Sequence, residues 1–397
     1  MKIAFLSWWW PYPANNGAKI RVYNLIRHLA ATHEVTLLSF AETDEATPDQ
    51  IAHLQSFCET VVPVPKPTYH PNSVKATLGY FSKWPRSLID TYSETMAERV
   101  QQYAASVDLL IASQLQTLRY LECVPQVPAI LEEMEVTGFY ERVEQANGAS
   151  SRMRAQMTVT KLESTLRRLF ERGVAMTVVS EAEREFLASI APLGAHISVI
   201  PNGVDTKINQ PDETPPVPNT LIYPGAVTYS ANYDAVKWFV GEVLPLVRQR
   251  VPDVSFTVTG GTGGVNIRKL AAQPGVRFTG YLPEIAPAIR ASWATVVPLR
   301  QGGGTRLKIL ESMALGTPVI ATHKGAEGLK IHSGGDILIA DEPQVMADSI
   351  CALLADPTLR ARLAAGARAR VETEYDWTII GQNLLELVNQ QGAAIHG

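Results

Sequence analysis

The chain of 397 residues has few cysteines, no long apolar segment and no excess of positive charge. Its three cysteines, Cys58, Cys123 and Cys351, are odd in number and widely spaced, which argues against a disulfide framework or a zinc site. No apolar run approaches the roughly 18 residues that span a bilayer. The net charge of −4 provides no basic field for nucleic acid. These features exclude a disulfide scaffold, a membrane-spanning protein and a nucleic-acid-binding protein.

The first residues, Met1–Ser7, are too short an apolar run for a secretion signal and are typical of a buried first strand. We therefore expect a cytoplasmic protein that can make peripheral contact with the inner face of the membrane.

The length and composition predict a two-domain globular enzyme, with 46% hydrophobic and 19% charged residues. Short apolar runs alternate with helical patterns, which is typical of parallel sheets. The strands are predicted at 2–7, 34–40, 60–64, 108–112, 129–132, 175–180, 197–200, 220–223, 254–259, 276–279, 294–298, 318–321 and 336–340. The helices are predicted at 18–31, 93–105, 152–172, 181–190, 234–248, 267–272, 285–291, 305–315, 344–355 and 377–390.

This alternation predicts an α/β protein with two doubly wound, Rossmann-like domains, each built on a parallel sheet. Residues 211–219 contain four prolines without periodicity, and they are predicted to be an inter-domain linker that acts as a hinge. Ligands of such sheets bind beyond the carboxyl ends of the strands. Two facing sheets would therefore form one deep cleft.

The segment 302–320 begins with three glycines and leads into a short helix that starts with cations. Glycines such as Gly304 allow backbone N–H groups to approach a ligand closely, and Thr305 follows directly. Arg306 and Lys308 are unfavourable at the positive end of a helix dipole unless an anion compensates them. A diphosphate fits this pattern, and Arg300 would complete the phosphate clamp, although surface cations are the simpler alternative.

Four segments in the same order resemble one family. They are residues 11–21, the turn Pro201-Asn202-Gly203-Val204-Asp205, residues 224–239 and the segment 302–320. Together they resemble the family-4 retaining glycosyltransferases of the GT-B fold, and within that family the bacterial exopolysaccharide sugar transferases. Many members carry two glutamates with seven residues between them; Glu311 occupies the second position, and Gly303 stands at the first.

The resemblance implies a domain organisation and a reaction. Residues 1–203 would bind the acceptor, residues 204–375 would bind the donor, and residues 376–397 would return to the first domain. A hexose would move from a nucleoside-diphosphate sugar to a saccharide or lipid-linked acceptor, with retention of configuration. Neither a metal nor another cofactor is expected, and the catalytic residues would be Lys308, Arg306 and Arg300.

The resemblance also assigns donor contacts. Glu311 would accept hydrogen bonds from the ribose hydroxyls, unless its role is a salt bridge with Lys308. Tyr281 would lie at the turn that contacts the nucleobase. Further donor contacts are predicted at Thr305 and at four glycines that follow strands: Gly17, Gly225, Gly260 and Gly304. The alternative is that these glycines only form ordinary turns.

Acceptor contacts are predicted in the first domain. Aromatic faces stack on sugars, so Trp9 or Trp10 of the Trp8–Trp10 cluster would be exposed, with local packing as the alternative. Glu133 could hold an acceptor hydroxyl, or it could be an ordinary acid at a helix start. Gln114 stands near a strand end where several family members have histidine.

The predicted helix 152–172 is rich in arginine and has an apolar stripe. Such a helix can lie on anionic lipid, or it can be an ordinary surface helix. The alternative functions are a nucleoside-diphosphate-sugar epimerase on the same fold, for which Glu133 would be an acid/base group, and a non-catalytic two-domain sugar-binding protein.

Overall fold

The computed structural model describes residues 1–213, 215–302 and 306–396, with side chains through residue 393. The chain forms two units. One consists of Met1–Pro201 and the residues from Ile380 onward, and the other consists of Asn202–Ile379. The chain therefore passes between the units after Pro201 and again after Ile379, inside the C-terminal helix.

The sheet of the first unit has seven strands within the described residues, in the order β3-β2-β1-β4-β5-β6-β7. The strands are β1 (Lys2–Ser7), β2 (Glu34–Ala41), β3 (Thr60–Pro65), β4 (Leu109–Ser113), β5 (Ala129–Glu132), β6 (Ala175–Val178) and β7 (Ile197–Val199). Every neighbouring pair is parallel. The order reverses between β1 and β4, so the loops that follow these strands meet at the topological switch point.

Helices follow the strands of this unit. They are α1 (Gly17–Ala30), α2 (Pro48–Gln55), α3 (Val74–Leu78), α4 (Arg86–Asp90), α5 (Glu94–Ala104), α6 (Leu118–Leu121), α7 (Thr137–Glu144), α8 (Ala149–Glu171) and α9 (Glu181–Ile190), with 3₁₀ turns at Gly79–Phe81 and Leu115–Thr117. α1 is capped by Asn16, whose side chain accepts from the Lys19 N–H at 3.1 Å. Its buried apolar residues, which include Leu25 and Ile26, lie on one face of the helix that was predicted at 18–31.

The sheet of the second unit has six strands in the described part of the chain, in the order β10-β9-β8-β11-β12-β13. The strands are β8 (Val217–Tyr223), β9 (Ser255–Thr259), β10 (Val276–Gly280), β11 (Ser292–Val297), β12 (Val319–Ala321) and β13 (Leu338–Ile339). All neighbours are parallel. The switch point of this sheet lies between β8 and β11.

The helices of the second unit and the terminal helix complete the fold. They are α10 (Ser230–Trp238), α11 (Leu244–Arg250), α12 (Arg268–Ala271), α13 (Ala286–Arg290), α14 (Leu307–Ala314), α15 (Pro343–Ala355), α16 (Pro357–Glu374) and α17 (Trp377–His396). Throughout the described ranges, every helix is too short or too polar to span a bilayer.

The predicted fold class of two doubly wound parallel sheets is confirmed, and the predicted strands occur where expected. The prediction of a linker at residues 211–219 is wrong. These residues belong to the second unit, where Asp212 forms a salt bridge of 2.7 Å with Arg290. The segment from Val217 onward is already part of β8. Prolines mark irregular backbone, but these residues are held by the domain around them.

The helices differ from expectation in two ways. The predicted helix 234–248 is α10 and α11 joined by a π-helical turn at Phe239–Val243. Pro245 lies at the start of α11 and lacks an N–H, so the regular i to i−4 pattern cannot continue through it. Helices α2, α3, α4, α6, α7 and α16 were not predicted. In α16 the buried residues Leu363, Ala367 and Val371 form only a narrow stripe among alanines and arginines.

Candidate functional site

The loops at the switch point of the second unit bring Lys308 and Gly225 together. Gly225 follows β8, and Lys308 lies in the first turn of α14, which follows β11. A Cβ atom placed on Gly225 would lie 2.7 Å from the Lys308 Nζ atom. The absence of a side chain at Gly225 therefore leaves the space that the ammonium group occupies.

The amine of Lys308 is held by neutral oxygen atoms. It donates to the Tyr223 hydroxyl at 2.9 Å and to Asn232 Oδ1 at 3.1 Å, and it lies 4.2 Å from the centre of the Tyr223 ring. The Tyr223 hydroxyl donates to Asn232 Oδ1 at 2.6 Å, and Asn232 Nδ2 donates to the Ala226 carbonyl at 2.8 Å. This network fixes the amine beside the loop that follows β8.

The electrostatics of this site favour an incoming anion. Burial and the positive charge of Arg306 lower the pKa of Lys308, Glu311 partly opposes both effects, and the resulting pKa is about 7. Burial also raises the pKa of Glu311 to about 7, against the opposing effect of Lys308. Neither group is fully charged at neutral pH, so an anion that reaches Lys308 would stabilise its protonated form.

Gly260, at the end of β9, supports the same loop. Its φ of +92° is favourable only for glycine, and a Cβ atom there would lie 2.6 Å from the Ala226 nitrogen. Its own N–H donates to the Gly280 carbonyl at 2.8 Å. The loops after β8, β9 and β10 are thereby joined. Tyr281, the residue after β10, is 75% exposed and accessible to a ligand.

The three predicted clamp cations do not form one group. Arg306 is buried at the start of α14, where it donates to the Gly302 carbonyl at 2.5 Å and to the Lys324 carbonyl at 3.3 Å. Its charge acts on Lys308 through space, as the lowered pKa shows. The predicted donor contacts Gly304 and Thr305 lie outside the described residues.

Arg300, the third predicted clamp cation, is paired with an acid in this structure. Its guanidinium donates to the Asp234 carboxylate at 2.8 and 3.2 Å, and it lies 5.6 Å from the centre of the Trp238 ring. The charge of Arg300 is thus matched by an acid on α10. Sequence separation alone could not reveal this pairing.

The first unit has a buried ionic network at its own switch point. Arg21 of α1 donates through Nε to Glu132 Oε1 at 2.7 Å, and Ser113 Oγ donates to Glu132 Oε2 at 2.7 Å. Both side chains of the Arg21–Glu132 pair are fully buried. The Arg21 guanidinium also donates to the carbonyls of Ile200 and Pro201 at 2.8 and 2.9 Å. This network joins the strand ends β4 and β5 to α1.

The structure brings together Gln114 and Glu133, both predicted to contact the acceptor. Gln114 Nε2 donates to Glu133 Oε2 at 2.9 Å, and both residues have positive φ, +76° and +59°. Burial raises the pKa of Glu133 to about 8, whereas Arg21 lowers it and Glu132 raises it. In the described part of the chain, Gln114 Oε1 is buried without a hydrogen-bond partner. Strained backbone and an unpaired buried oxygen are typical of a binding site.

The prediction that Trp10 presents an open face to a sugar is wrong. Trp10 is fully buried, and its Nε1 donates to Gln50 Oε1 at 3.0 Å. Trp9 is half-buried, and the Lys66 Nζ atom lies 3.5 Å from its ring centre. Gly17, a predicted donor contact, is the first residue of α1, next to the Asn16 cap.

Sequence reasoning missed Tyr223, Asn232 and Arg21. All three lie in or beside the segments that carry the family resemblance, but no role was assigned to them. For Tyr223 and Asn232 the only signal is their position: Tyr223 ends a strand, and Asn232 lies in the first turn of the following helix. Across the described ranges, no cluster of three or more His, Cys, Asp or Glu side chains has the arrangement of a metal site.

The two Rossmann-like units define the class of the protein: the chain has the GT-B fold. It aligns over 98% of its length with 100% of the structure of HepE from Anabaena in complex with UDP, with a TM-score of 0.67 and 16% identity. It aligns over 99% of its length with 100% of sucrose-phosphate synthase from Thermosynechococcus elongatus, with a TM-score of 0.73 and 19% identity. At these identities the likeness concerns the fold alone.

Sequence comparison adds a family match within the second unit. Residues 218–356 match the family described as Glycosyl transferases group 1. The chain is also 28% identical over 258 residues to the phosphatidyl-myo-inositol mannosyltransferase of Mycobacterium tuberculosis. That match covers 60% of this chain and 66% of the relative, just under two thirds of its length.

Proposed function

We propose that this protein is a glycosyltransferase that moves a hexose from a nucleoside-diphosphate sugar to a saccharide or lipid-linked acceptor. The position of Lys308 carries the proposal. Its amine lies at the switch point of the unit that matches a glycosyltransferase family, and it rests on neutral oxygens rather than on a paired carboxylate. Such an amine can bind an anion without first breaking a salt bridge.

The donor would bind at the loops after β8, β9, β10 and β11. Gly225 makes room for the Lys308 amine, and Gly260 allows close packing against Ala226, so both glycines shape the loops where a phosphate would meet the amine. Tyr281, which is exposed, would contact the nucleobase, and the half-buried carboxylate of Glu311 would accept hydrogen bonds from the ribose. Glu311 lies one turn beyond Lys308 on the same face of α14, so diphosphate and ribose would occupy adjacent positions.

Catalysis would depend on stabilising the leaving diphosphate. As the bond between the sugar and the diphosphate breaks, negative charge grows on the phosphate oxygen, and the Lys308 ammonium would offset it. Arg306 would contribute through space and through the loop carbonyls it holds. We revise the clamp to exclude Arg300, which is paired with Asp234. Transfer is proposed to need no divalent metal and to retain the configuration at the anomeric carbon.

The acceptor would be held by the first unit. Gln114 Oε1 offers a buried acceptor for a hydroxyl group, and Glu133, with a pKa raised to about 8, can accept or donate a proton near neutral pH. A lipid-linked or saccharide acceptor is supported by the relative named as a phosphatidyl-myo-inositol mannosyltransferase. A role in polysaccharide or glycoconjugate synthesis, as in the family-4 exopolysaccharide enzymes that the sequence resembles, follows from the same proposal.

The proposal is tested by incubating the protein with GDP- and UDP-hexoses and an acceptor panel, with and without EDTA, and by identifying products by mass spectrometry. We expect a glycosylated acceptor and a released nucleoside diphosphate, with EDTA having no effect. A changed sugar nucleotide formed without acceptor would instead indicate the epimerase. Nucleotide binding without turnover across a broad acceptor panel would favour a sugar-binding protein. Loss of activity in EDTA that magnesium or manganese restores would refute the metal-free mechanism.

A further inference from the structure

The first unit carries an apolar ridge without a partner, formed by Val74, Leu78 and Phe81. These residues belong to α3 and to the 3₁₀ turn Gly79–Phe81, and they recur at spacings of four and three, so they lie on one face. Their exposed fractions are 76%, 61% and 91%. On the opposite side of this segment, Ala76 and Gly79 are buried. Three large apolar side chains on one exposed face indicate an interaction surface.

The ridge is braced from beneath. Arg86 donates to the carbonyls of Ala76 and Pro71, at 2.8 and 2.5 Å, and to the Tyr80 hydroxyl at 2.8 Å. The Arg86 guanidinium also stacks on the Tyr80 ring, 4.1 Å from its centre. The exposure of the ridge is therefore a feature of a folded segment, because its backbone carbonyls are held by the half-buried Arg86 side chain.

Helix α8 continues this surface. Lys161 donates to the carbonyls of Gly79 and Tyr80, at 2.7 and 3.0 Å, and thereby ties α8 to the ridge. Beside Lys161, an open groove of about 850 Å³ runs along the N-terminal half of α8, where Met153 and Met157 line it. Met153 is 62% exposed. The ridge and the groove together make up the apolar face.

The charge around the apolar face is mainly positive, and one carboxylate, that of Asp90, accepts from the His70 N–H at 2.6 Å near the start of α3. Residues 60–89 contain no acidic residue and four Lys or Arg residues, and residues 145–162 contain no acidic residue and three. Lys75, Arg152 and Arg154 are exposed beside the ridge and the groove. Of the four cations in residues 60–89, Lys83 is paired with Glu122 at 2.9 Å and Lys66 is paired with Glu42 at 3.1 Å. The whole chain has a net charge of −4, so this concentration of cations is local.

We propose that the apolar face docks on the surface of an anionic phospholipid bilayer, with Leu78 and Phe81 inserted among the acyl chains. Apolar side chains ringed by cations match an interface that is apolar inside and negative at its surface. A second copy of the chain fits less well, because the same cations would face each other. The proposal goes beyond sugar transfer, since it concerns where the protein resides when it meets a lipid-linked acceptor.

The test is sedimentation of the full chain with vesicles of phosphatidylcholine, with and without phosphatidylglycerol, in the absence of donor and acceptor. We expect binding only to the anionic vesicles, weakened by salt. The Leu78→Ser/Phe81→Ser variant should bind at least about tenfold more weakly, because two large apolar side chains are lost. Lys75→Glu/Arg152→Glu should also bind more weakly. The matched control is Leu193→Ser, since Leu193 is fully exposed on the same unit outside the apolar face.

Equal vesicle binding by the wild type and both face variants would overturn the proposal. So would an absence of vesicle binding accompanied by a dimer, in sedimentation velocity, that the Leu78→Ser/Phe81→Ser variant abolishes. Transfer to a water-soluble acceptor should be unchanged in the face variants. If the proposed transferase function is wrong, only the transfer assay will show it, and if the membrane proposal is wrong, only the vesicle assay will show it. The two proposals can therefore be refuted independently.

Discussion

The Nζ atom of Lys308 occupies the space into which any side chain on Gly225 would project, 2.7 Å from the position of its Cβ atom. The two residues follow the two central strands of the second sheet, β8 and β11, on either side of its switch point. The sheet topology thus determines which loops meet. Because glycine has no side chain, position 225 leaves space for the Lys308 amine between these loops.

Gly225→Ala should impair catalysis more than folding. The methyl group would displace the flexible end of Lys308 from Tyr223 and Asn232, which costs little stability, about 1 kcal/mol or less. Turnover should fall by roughly 10²-fold, as for loss of one preorganised donor to a developing anion. Steady-state kinetics and thermal melting measure the two effects. Gly241→Ala is the control, because no atom lies within 4 Å of its added Cβ. Wild-type turnover in Gly225→Ala would show that the amine need not occupy this position.

Gly260→Ala should impair folding as well as donor binding. The new Cβ would lie 2.6 Å from the Ala226 backbone nitrogen, which cannot swing away, and the φ of +92° is strained for alanine. A loss of about 1–3 kcal/mol in the free energy of unfolding is expected from denaturant melts. Gly263→Ala, in the same loop with open space around it, should change stability by less than about 0.5 kcal/mol. Equal stability of the two variants would refute the close packing of these loops.

Binding of a nucleoside diphosphate should be accompanied by proton uptake above pH 7. The pKa of Lys308 is about 7 in the free protein, so the amine is mostly neutral at pH 8. A bound diphosphate favours the protonated form and raises this pKa, so affinity should fall as pH rises above about 7, by up to tenfold per pH unit. Calorimetry in buffers of different ionisation enthalpy measures the uptake.

The Lys308→Met variant serves as the control for this linkage and should lose the proton uptake. A Glu311→Gln background removes the other group that titrates near pH 7, so the remaining pH dependence belongs to the lysine. Affinity that is independent of pH between 7 and 9 in both backgrounds would contradict a neutral lysine in the free site.

Trp10→Phe should change stability and leave the KM for the acceptor unchanged. The indole is fully buried and hydrogen-bonded to Gln50, so the variant loses a hydrogen bond and part of a packed ring. We expect a loss of roughly 1–3 kcal/mol in the free energy of unfolding. A raised acceptor KM with an unchanged melting temperature would restore Trp10 to the acceptor site.

The sequence could predict the fold because apolar runs and helical stripes alternate without ambiguity. The runs at 2–7 and 129–132, for example, coincide with β1 and β5. The π-helical turn at Phe239–Val243 could not be predicted, since it depends on how one missing N–H at Pro245 is accommodated.

The candidate site was predictable only in part. Lys308 and Gly225 could be assigned to the donor site because glycine-rich loops, and cations at the start of a helix, are visible in the sequence. The pairing of Arg300 with Asp234, 66 positions earlier in the chain, and the burial of Trp10 depend on tertiary packing. Tyr223 and Asn232 have no chemical signature of their own, and they matter because the fold places them around one amine.

The most direct test of the central claim is titration of UDP and GDP into the wild type, Lys308→Ala and Lys237→Ala by calorimetry. Lys237 is an exposed lysine on α10 of the same unit, so its variant controls for the loss of one positive charge. We expect the wild type and Lys237→Ala to bind one nucleotide alike and Lys308→Ala to bind it at least about tenfold more weakly, as for loss of a charged hydrogen bond. Equal affinity of folded Lys308→Ala and wild type for both nucleotides would contradict the assignment of Lys308 to the donor diphosphate.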